Sequence, residues 1–525
     1  MEQSTLYERT RKKGKEIMSR VFFSKGLPTV LFVLMQLFLL IWFSVYFQIY
    51  FESFYIITLL LVFITIIYIM SGDSKNEFKM AWILMMAFLP IFGILMYIYT
   101  MTNYTTIRLK KSYEKHHGLS MSILSDTEQP KKLLKEKKDV RHLFEYLKNS
   151  GGYPVYEDTV FDYYSDGAGF LNAMAEELTT ARETIFMQFF SIEYGIVWEK
   201  IHDILVEKVK EGVEVRLIFD GTNTLIYLPK TFAAELEKEG IKVRIFAPVV
   251  PILSTYQDYR NHRKLVIIDQ KIAFTGGVNI GDEYANLEER FGRWKDAGIR
   301  MEGNAVRTFT AMFLESYNLS SKDPGLEDYD RFLSSKEDVK TGGKGFAAPY
   351  GDDPLNHADI AEDVYRHMIN TAKKYVYIMT PYLVIDNEML NSLCFAAKSG
   401  VDVRIIMPHI PDKKITFCIG HTYYRRLLKA GVRIYNYTPG FIHSKVVLSD
   451  DKKAVVGTIN FDYRSLYHHF EDAVYIYDNP VTGDILKDFK KTFDESSLVT
   501  YEDYARMSNV YKVVGRVLRI FESLI

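Results

Sequence analysis

Cysteine is nearly absent from these 525 residues. Cys394 and Cys418 are the only two, which excludes a disulfide framework and a cysteine-based zinc cluster. They fit buried small apolar residues. Neither sign of charge is in excess: 65 Lys and Arg stand against 66 Asp and Glu, a formal net charge of −1. Proteins that grip nucleic acid through its phosphates are usually basic, so this balance argues against a nucleic-acid partner. No GxxxxGK[ST] phosphate loop occurs, so nothing points to a nucleotide-driven reaction. Disorder is opposed by a composition that is 48% hydrophobic and 14% aromatic, enough for a large core. At roughly 100–200 residues per unit, the length predicts about three units.

Charge is missing altogether from three long stretches. Residues 26–51, 53–72 and 80–107 carry no charged side chain, and Glu52 stands alone between the first two. A hydrocarbon core needs about 20 apolar residues in helix, and helices of soluble proteins need a polar face. A cleaved signal peptide fits poorly, because the basic arm is long and the first run exceeds a signal core. We expect a basic arm over residues 1–26, with Arg9, Arg11, Lys12, Lys13, Lys15, Arg20 and Lys25. A membrane module follows over 27–107, with hydrophobic segments at about 27–51, 53–72 and 80–100. The chain thus reads as a multi-pass protein of the cell membrane. The positive-inside rule places the N-terminus in the cytoplasm. Pro90 and Gly93 interrupt the third run, which fits either a third crossing or a re-entrant hairpin.

Residues 108–141 form a basic connector whose Lys131, Lys132, Lys135, Lys137 and Lys138 suit anionic headgroups or plain solvation. Helical and strand patterns then alternate, and the order repeats. EGVEVRLIFD (211–220) matches SGVDVRIIMP (399–408), and EGIKVRIFAP (239–248) resembles AGVRIYNYTP (430–439). Two copies of one α/β unit explain this. The expected fold class is α/β: two tandem domains of mixed sheets flanked by helices, over 142–320 and 346–525, joined by a linker at 321–345. The amphipathic pattern Val510, Val513, Val514, Val517, Leu518, Phe521 predicts a C-terminal helix that docks on the second domain.

The repeat also duplicates a polar signature. HRKLVIIDQKIAFTGGVN runs from His262 to Asn279, and HSKVVLSDDKKAVVGTIN from His443 to Asn460. On a strand, positions i and i+2 share a face, so His262 projects with Lys264 and His443 with Lys445. Lysine ammonium groups and the amides of Asn279 and Asn460 suit phosphate oxygens and would stabilise charge in a pentacoordinate transition state. One imidazole can attack phosphorus while a second protonates the leaving alcohol. Asp269 and Asp450 complete the signature and stand in the candidate catalytic set, although bracing the strand and turn suits them better than proton transfer. The pairs His116-His117 and His468-His469 fit exposed or hydrogen-bonded histidines better than metal ligands.

These paired HxK–D–G–N motifs resemble those of the phospholipase D superfamily. The resemblance implies that both motifs meet at one site, that the first His is the nucleophile, and that no metal or other cofactor is required. It also implies a carboxylate behind each His. Glu471 is expected to support His443, and Asp296 to support His262. Thr458 stands where the family often has Ser. With QFFSIEYGI (188–196), Asp220-Gly221, TPYLVID (380–386) and the apolar run at 81–99, the chain resembles the bacterial cardiolipin synthases of this superfamily. The implied reaction joins two phosphatidylglycerols into cardiolipin and glycerol. The apolar liners expected are Phe189, Phe190, Tyr194 and Tyr382, each fitting plain core as well. A phospholipase D-type hydrolase, a phosphatidyltransferase with another acceptor and, less well supported, a superfamily nuclease stay open as alternatives.

Overall fold

The computed structural model describes residues 31–524, apart from 32–33, 43–47, 73, 102–103, 126, 128–129, 131–132, 134–137, 250–257, 322–324, 334–338, 340 and 357. The basic arm, the lysines Lys131, Lys132, Lys135 and Lys137, and parts of the first apolar run and of the linker lie outside the described residues.

Helix α1 (Gln48–Ser71) contains, over Glu52–Ser71, the one stretch among the described residues that is helical, long and apolar enough to cross a membrane. The third apolar run does not form a spanning helix. It splits into α2 (Asn76–Phe88) and α3 (Pro90–Met101), because Pro90 pushes Leu89 out of helical geometry. The Trp82 and Tyr97 ring centroids are 5.3 Å apart. A continuous helix would hold these positions about 22 Å apart, so the two limbs fold into a hairpin. Gly93 permits the close approach: a Cβ there would sit 2.8 Å from the Met86 Cα. The Phe92 N–H, an orphan of the first turn of α3, donates to Gln36 Oε1 at 3.0 Å. The limbs, 13 and 12 residues long, are each too short for a hydrocarbon core about 30 Å thick.

The hairpin is fastened to the soluble part at both ends. At its start, the Lys75 ammonium bonds Glu362, lies 3.2 Å from Asp386 Oδ2 and donates to the Tyr467 hydroxyl at 2.9 Å. Phe78 packs edge-on against Tyr463, Tyr467 and His468. After its exit, α4 (Tyr104–Ser125) bridges both halves. The Tyr113 hydroxyl donates to Asp353 at 2.6 Å, and His117 Nδ1 lies 3.2 Å from Glu315. His116 Nδ1 lies 3.1 Å from the Tyr329 hydroxyl. Both members of this histidine pair are engaged in hydrogen bonds.

The soluble part is two mixed sheets with one shared topology. The first half contributes β1 (Val160–Tyr164), β2 (Thr184–Phe189), β3 (Glu214–Asp220), β4 (Lys242–Phe246), β5 (Arg260–Asn261), β6 (Leu265–Ile268), β7 (Ile272–Gly276), β8 (Arg293–Lys295) and β9 (Gly298–Glu302). The second contributes β10 (Phe346–Asp352), β11 (Tyr375–Met379), β12 (Leu383–Val384), β13 (Asp402–Pro408), β14 (Arg433–Tyr437), β15 (Gly440–Ile442), β16 (Val446–Ser449), β17 (Lys453–Gly457), β18 (Phe461–Asp462), β19 (His469–Tyr477) and β20 (Ser496–Val499). The first sheet runs β1-β9-β7-β6-β2-β3-β4, and the second runs β10-β19-β17-β16-β11-β13-β14-β20. The duplicated order is the structural counterpart of the sequence repeat. β2, β6, β11 and β16 lie at the sheet centres, with side chains of β2, β6 and β16 buried at every position, as strands covered on both faces must be. The chain is therefore a mixed α/β protein of two tandem domains of one topology behind an apolar N-terminal helix. Within residues 321–345, Glu327–Leu333 forms a helix held to the first sheet by the paired bonds of Arg216 to Asp328, at 2.6 and 2.9 Å.

Candidate active site

Two short strands leave their own halves and carry the histidines to the opposite one. β5 runs parallel to the start of β19, with Arg260 beside His469 and Asn261 beside Phe470. The His262 N–H then donates to the Phe470 carbonyl at 2.9 Å. β15 runs parallel to β8, with Phe441 beside Trp294 and Ile442 beside Lys295. The His443 N–H donates to the Lys295 carbonyl at 2.7 Å. Carried one residue further, these registers set His262 beside Glu471 and His443 beside Asp296.

The side chains follow the register. His262 Nδ1 lies 2.9 and 3.0 Å from the two Glu471 carboxylate oxygens. His443 Nδ1 lies 2.7 Å from Asp296 Oδ2. This corrects the expected pairing: the carboxylates are exchanged, and each imidazole is supported by the other half. Sequence proximity favours a partner from the same copy, but the crossing strands decide it. An Nδ1–H donated to a carboxylate leaves the Nε2 lone pair free for chemistry.

The remaining expected residues fall into two groups. Lys264 and Lys445 are buried beside their histidines, and each ammonium donates to the carbonyl of its own motif histidine. Each keeps further N–H donors for an anion. A Cβ on Gly277 would sit 2.8 Å from the His443 carbonyl oxygen, and the Lys264 ammonium acts electrostatically on His443 and Lys445, so the two motifs lie side by side. Asn279 accepts the Ser191 N–H at 3.1 Å and donates to the Tyr284 hydroxyl at 2.7 Å. Asn460 donates to Ser465 Oγ at 3.0 Å. Asp269 and Asp450 lie elsewhere, a correction to their place in the catalytic set. They sit at the far ends of β6 and β16, five residues beyond the motif lysines, about 16 Å along an extended chain. Asp269 accepts the N–H groups of Arg182, Glu183 and Thr184 at 2.8–2.9 Å. Asp450 does the same for Lys373, Lys374 and Tyr375 at 2.8–3.1 Å. Their work is to brace the entries to β2 and β11.

Burial governs the electrostatics. It pushes His262 well below the usual imidazole range, against the opposing pull of Glu471. It takes His443 down to about 4, with the Lys445 ammonium adding to the effect. Burial also lowers Lys264 to about 8 and Lys445 to about 7. Desolvation works against the charged form of both carboxylates, yet their histidine partners hold Glu471 and Asp296 below the ordinary range. Each pair is therefore a neutral imidazole hydrogen-bonded to a carboxylate.

Further neighbours surround the two histidines, of which Tyr284, Trp294 and Phe441 were not expected there. His469 is buried, its ring centroid 5.5 Å from that of His262 and its Nδ1 3.7 Å from Glu471. Neither of its ring nitrogens has a hydrogen-bond partner among the described residues. Thr458 Oγ1 donates to Glu471. Tyr284, Trp294 and Phe441 surround the His443 ring at centroid distances of 5.7, 5.4 and 5.8 Å. The parallel pairing of β15 with β8 is what brings the last two there, and no local pattern marks it. Of the expected apolar liners, Phe190 lies against His262 at 5.1 Å, whereas Phe189 belongs to the core of the first half. Tyr194 packs edge-on against Phe232. Tyr382 is buried, with its hydroxyl donating to Asp412 at 2.6 Å.

Comparison with known proteins gives the family. The family described as "Cardiolipin synthase, PLD-like domain" matches residues 174–291 and 365–495, and "Phospholipase_D-nuclease N-terminal" matches residues 57–99. An uncharacterised protein of Streptococcus mutans serotype c is 42% identical over 88% of this chain and 99% of its own length. A cardiolipin synthase of a Geobacillus species is 32% identical over 86% of this chain and 90% of its own length. Phosphatidylserine synthase of Haemophilus influenzae shares the fold, with a TM-score of 0.54 and 14% identity over 74% of this chain and 98% of that one. With two HxK half-sites in tandem sheets and relatives aligned across nearly their whole length, the chain belongs to the bacterial cardiolipin synthases of the phospholipase D superfamily and is a phosphatidyltransferase of that type.

Proposed function

We propose that the chain transfers a phosphatidyl group from one phosphatidylglycerol to another, giving cardiolipin and glycerol. The observation that carries this reading is the pair of buried imidazoles, each oriented through Nδ1 by a carboxylate of the opposite half. In the first step His262 Nε2 bonds to phosphorus and the bond to the headgroup glycerol oxygen breaks. That oxygen takes a proton from His443 Nε2. In the second step a hydroxyl of another phosphatidylglycerol gives its proton to His443 and attacks phosphorus, and the phosphorus–nitrogen bond breaks. One phosphodiester is exchanged for another, so neither metal nor nucleotide enters the balance.

Electrostatics supports this division of labour. Burial holds His262 well below the imidazole range, which suits a resident lone pair. His443 must carry a proton to act as acid, yet burial and Lys445 hold it at about 4 in the free protein. A bound phosphodiester anion offsets the ammonium groups of Lys264 and Lys445, and so raises His443. Those ammonium groups, with the spare amide N–H donors of Asn279 and Asn460, are placed to stabilise charge growing on the phosphoryl oxygens. Phe190 beside His262 suits a lipid substrate and disfavours water.

The membrane reading follows the same logic. The hairpin starts at Lys75 and leaves through α4, and both ends grip the catalytic halves. It therefore enters and leaves at one membrane face, as a re-entrant element beside the crossing helix α1. The cations Lys75, Arg108, Lys110 and Lys111 make that face the cytoplasmic one. The test of function is purified protein in vesicles of labelled phosphatidylglycerol, with products resolved by lipid chromatography. Cardiolipin and free glycerol in equal amounts are expected. Phosphatidic acid as the main product would replace this reading with a hydrolase.

A further inference from the structure

The C-terminal helix Asn509–Arg519 docks on the second half, but of the stripe its sequence pattern suggests only Leu518 packs against the core. Its contact runs through Gly515, where a Cβ would sit 2.6 Å from the Cys418 carbonyl oxygen, and through Tyr511 beside His421. Val510, Val513, Val514, Val517, Ile520 and Phe521 stay exposed, Val510 by 72% and Val513 by 56%. Soluble surfaces rarely leave such a contiguous apolar face open.

A groove lies beside it, bounded by this helix and the helices Asn387–Lys398 and Lys414–Ala430. The cavity is about 960 Å³ and is lined by Lys398, Arg425, Arg426, Lys429, Arg516 and Arg519, with no carboxylate in its wall. Arg519 is held by Glu522 at 3.3 Å, and Arg426 donates to Asn391. Lys398, Arg425, Lys429 and Arg516 make no ion pair among the described residues. Phe395, 67% exposed, completes the rim. In a chain of net charge −1, this is a marked local excess of one sign.

The face also lies at the membrane end of the molecule. The residues after the helix reach the first turn of α2, where the Ser523 hydroxyl donates to the Glu77 carbonyl at 3.4 Å. His468, which packs against Phe78, lies 3.2 Å through Nε2 from the Ser523 carbonyl.

We propose that this face is a second, non-catalytic lipid site. The valine stripe lies in the headgroup–acyl boundary of the bilayer, and the cationic groove holds the phosphodiester headgroup of an anionic phospholipid. An interfacial helix needs this combination of buried apolar face and flanking cations. The site would hold anionic lipid against the transferase domains independently of turnover.

Full-length protein in proteoliposomes tests both parts. Tryptophan introduced by Val513→Trp should be quenched by lipids brominated near the headgroup end of the acyl chain. An unquenched tryptophan would overturn the membrane placement. The groove is tested by native mass spectrometry of detergent-purified protein given phosphatidylserine, an anionic lipid that is not the proposed donor. The triple variant Arg425→Gln, Lys429→Gln, Arg516→Gln should retain it about a hundredfold less tightly, with transfer in mixed micelles unchanged. Equal retention, or displacement of the lipid by millimolar inorganic phosphate, would overturn the headgroup site. Transfer activity is read separately, so failure here is distinguishable from failure of the proposed reaction.

Discussion

His262 meets Glu471 through both carboxylate oxygens, at 2.9 and 3.0 Å, whereas His443 meets Asp296 through one, at 2.7 Å. The surroundings differ in the same sense. Behind Glu471 stands Thr458, whose hydroxyl bonds the carboxylate. The matching position in the first copy is Gly277, where a Cβ would lie 2.0 Å from Asp296 Oδ1. Next to His262, Arg263 is buried and donates to the Glu471 carbonyl at 2.9 Å, locking the two halves together. Its counterpart is the small Ser444. His262 has a third imidazole, His469, for a neighbour, and His443 has an aromatic cage. Duplication thus supplied two imidazoles in unlike surroundings, and in the mechanism proposed above these departures from symmetry would separate a firmly oriented nucleophile from an acid–base group that gains and loses a proton.

The largest effects should come from the histidines themselves. His262→Ala and His443→Ala should each lower transfer from phosphatidylglycerol by about 10⁴-fold or more. An activated donor with a nitrophenol leaving group breaks the tie, since that group departs without a proton. In stopped flow, His443→Ala should still release one equivalent of nitrophenol and His262→Ala none. Equal loss of the burst would make the half-sites chemically equivalent.

The exchanged carboxylates come next. Glu471→Gln and Asp296→Asn should each cost on the order of 10²–10⁴ in kcat. Because the partners are crossed, the activated donor should rescue Asp296→Asn and leave Glu471→Gln slow. The reverse pattern would restore pairing within each copy.

A smaller effect separates the lysines. Burial lowers Lys445 to about 7 and Lys264 to about 8. A lowered lysine keeps its charge below that value and loses it above. The kcat/KM should therefore fall as pH rises through 7 to 8, by up to about tenfold per unit once a required charge is titrating. Lys445→Arg, charged at every accessible pH, should remove the lower part of that limb. An unchanged profile would mean that the ammonium groups do not bind the phosphodiester.

Gly277→Ala crowds Asp296 and should cost about 1–3 kcal/mol of stability by thermal denaturation. The smallest expected change is Thr458→Ala, about tenfold in kcat from the lost hydrogen bond to Glu471, whereas Thr458→Ser should stay near the parent. Similar losses for Ala and Ser would deny the hydroxyl a part.

The duplicated fold was legible from matched segments such as 211–220 and 399–408, because buried central strands leave uniform apolar runs. The motif lysines and histidines were legible from their repeated i, i+2 spacing, although His262–Lys264 and His443–Lys445 lie in the connections between two strands and not on a strand as expected. The exchange of Glu471 and Asp296 was not, since it depends on β5 and β15, strands of two and three residues with no pattern of their own. Regular spacing gave Asp269 and Asp450 a catalytic look, but five residues along an extended chain lead away from the site. His469 looked like half of an ordinary histidine pair until β19 turned it toward His262. The C-terminal helix was legible as amphipathic, yet periodicity cannot say which face meets protein and which meets lipid.

Where phosphorus becomes attached decides the roles of the two half-sites most directly. Protein quenched in base during turnover of labelled phosphatidylglycerol, then digested and sequenced by mass spectrometry, locates it. The label should sit on the peptide containing His262 and be lost in His262→Ala. Label on His443, or rapid transfer with no covalent adduct on either histidine, would contradict the proposed roles of the two half-sites.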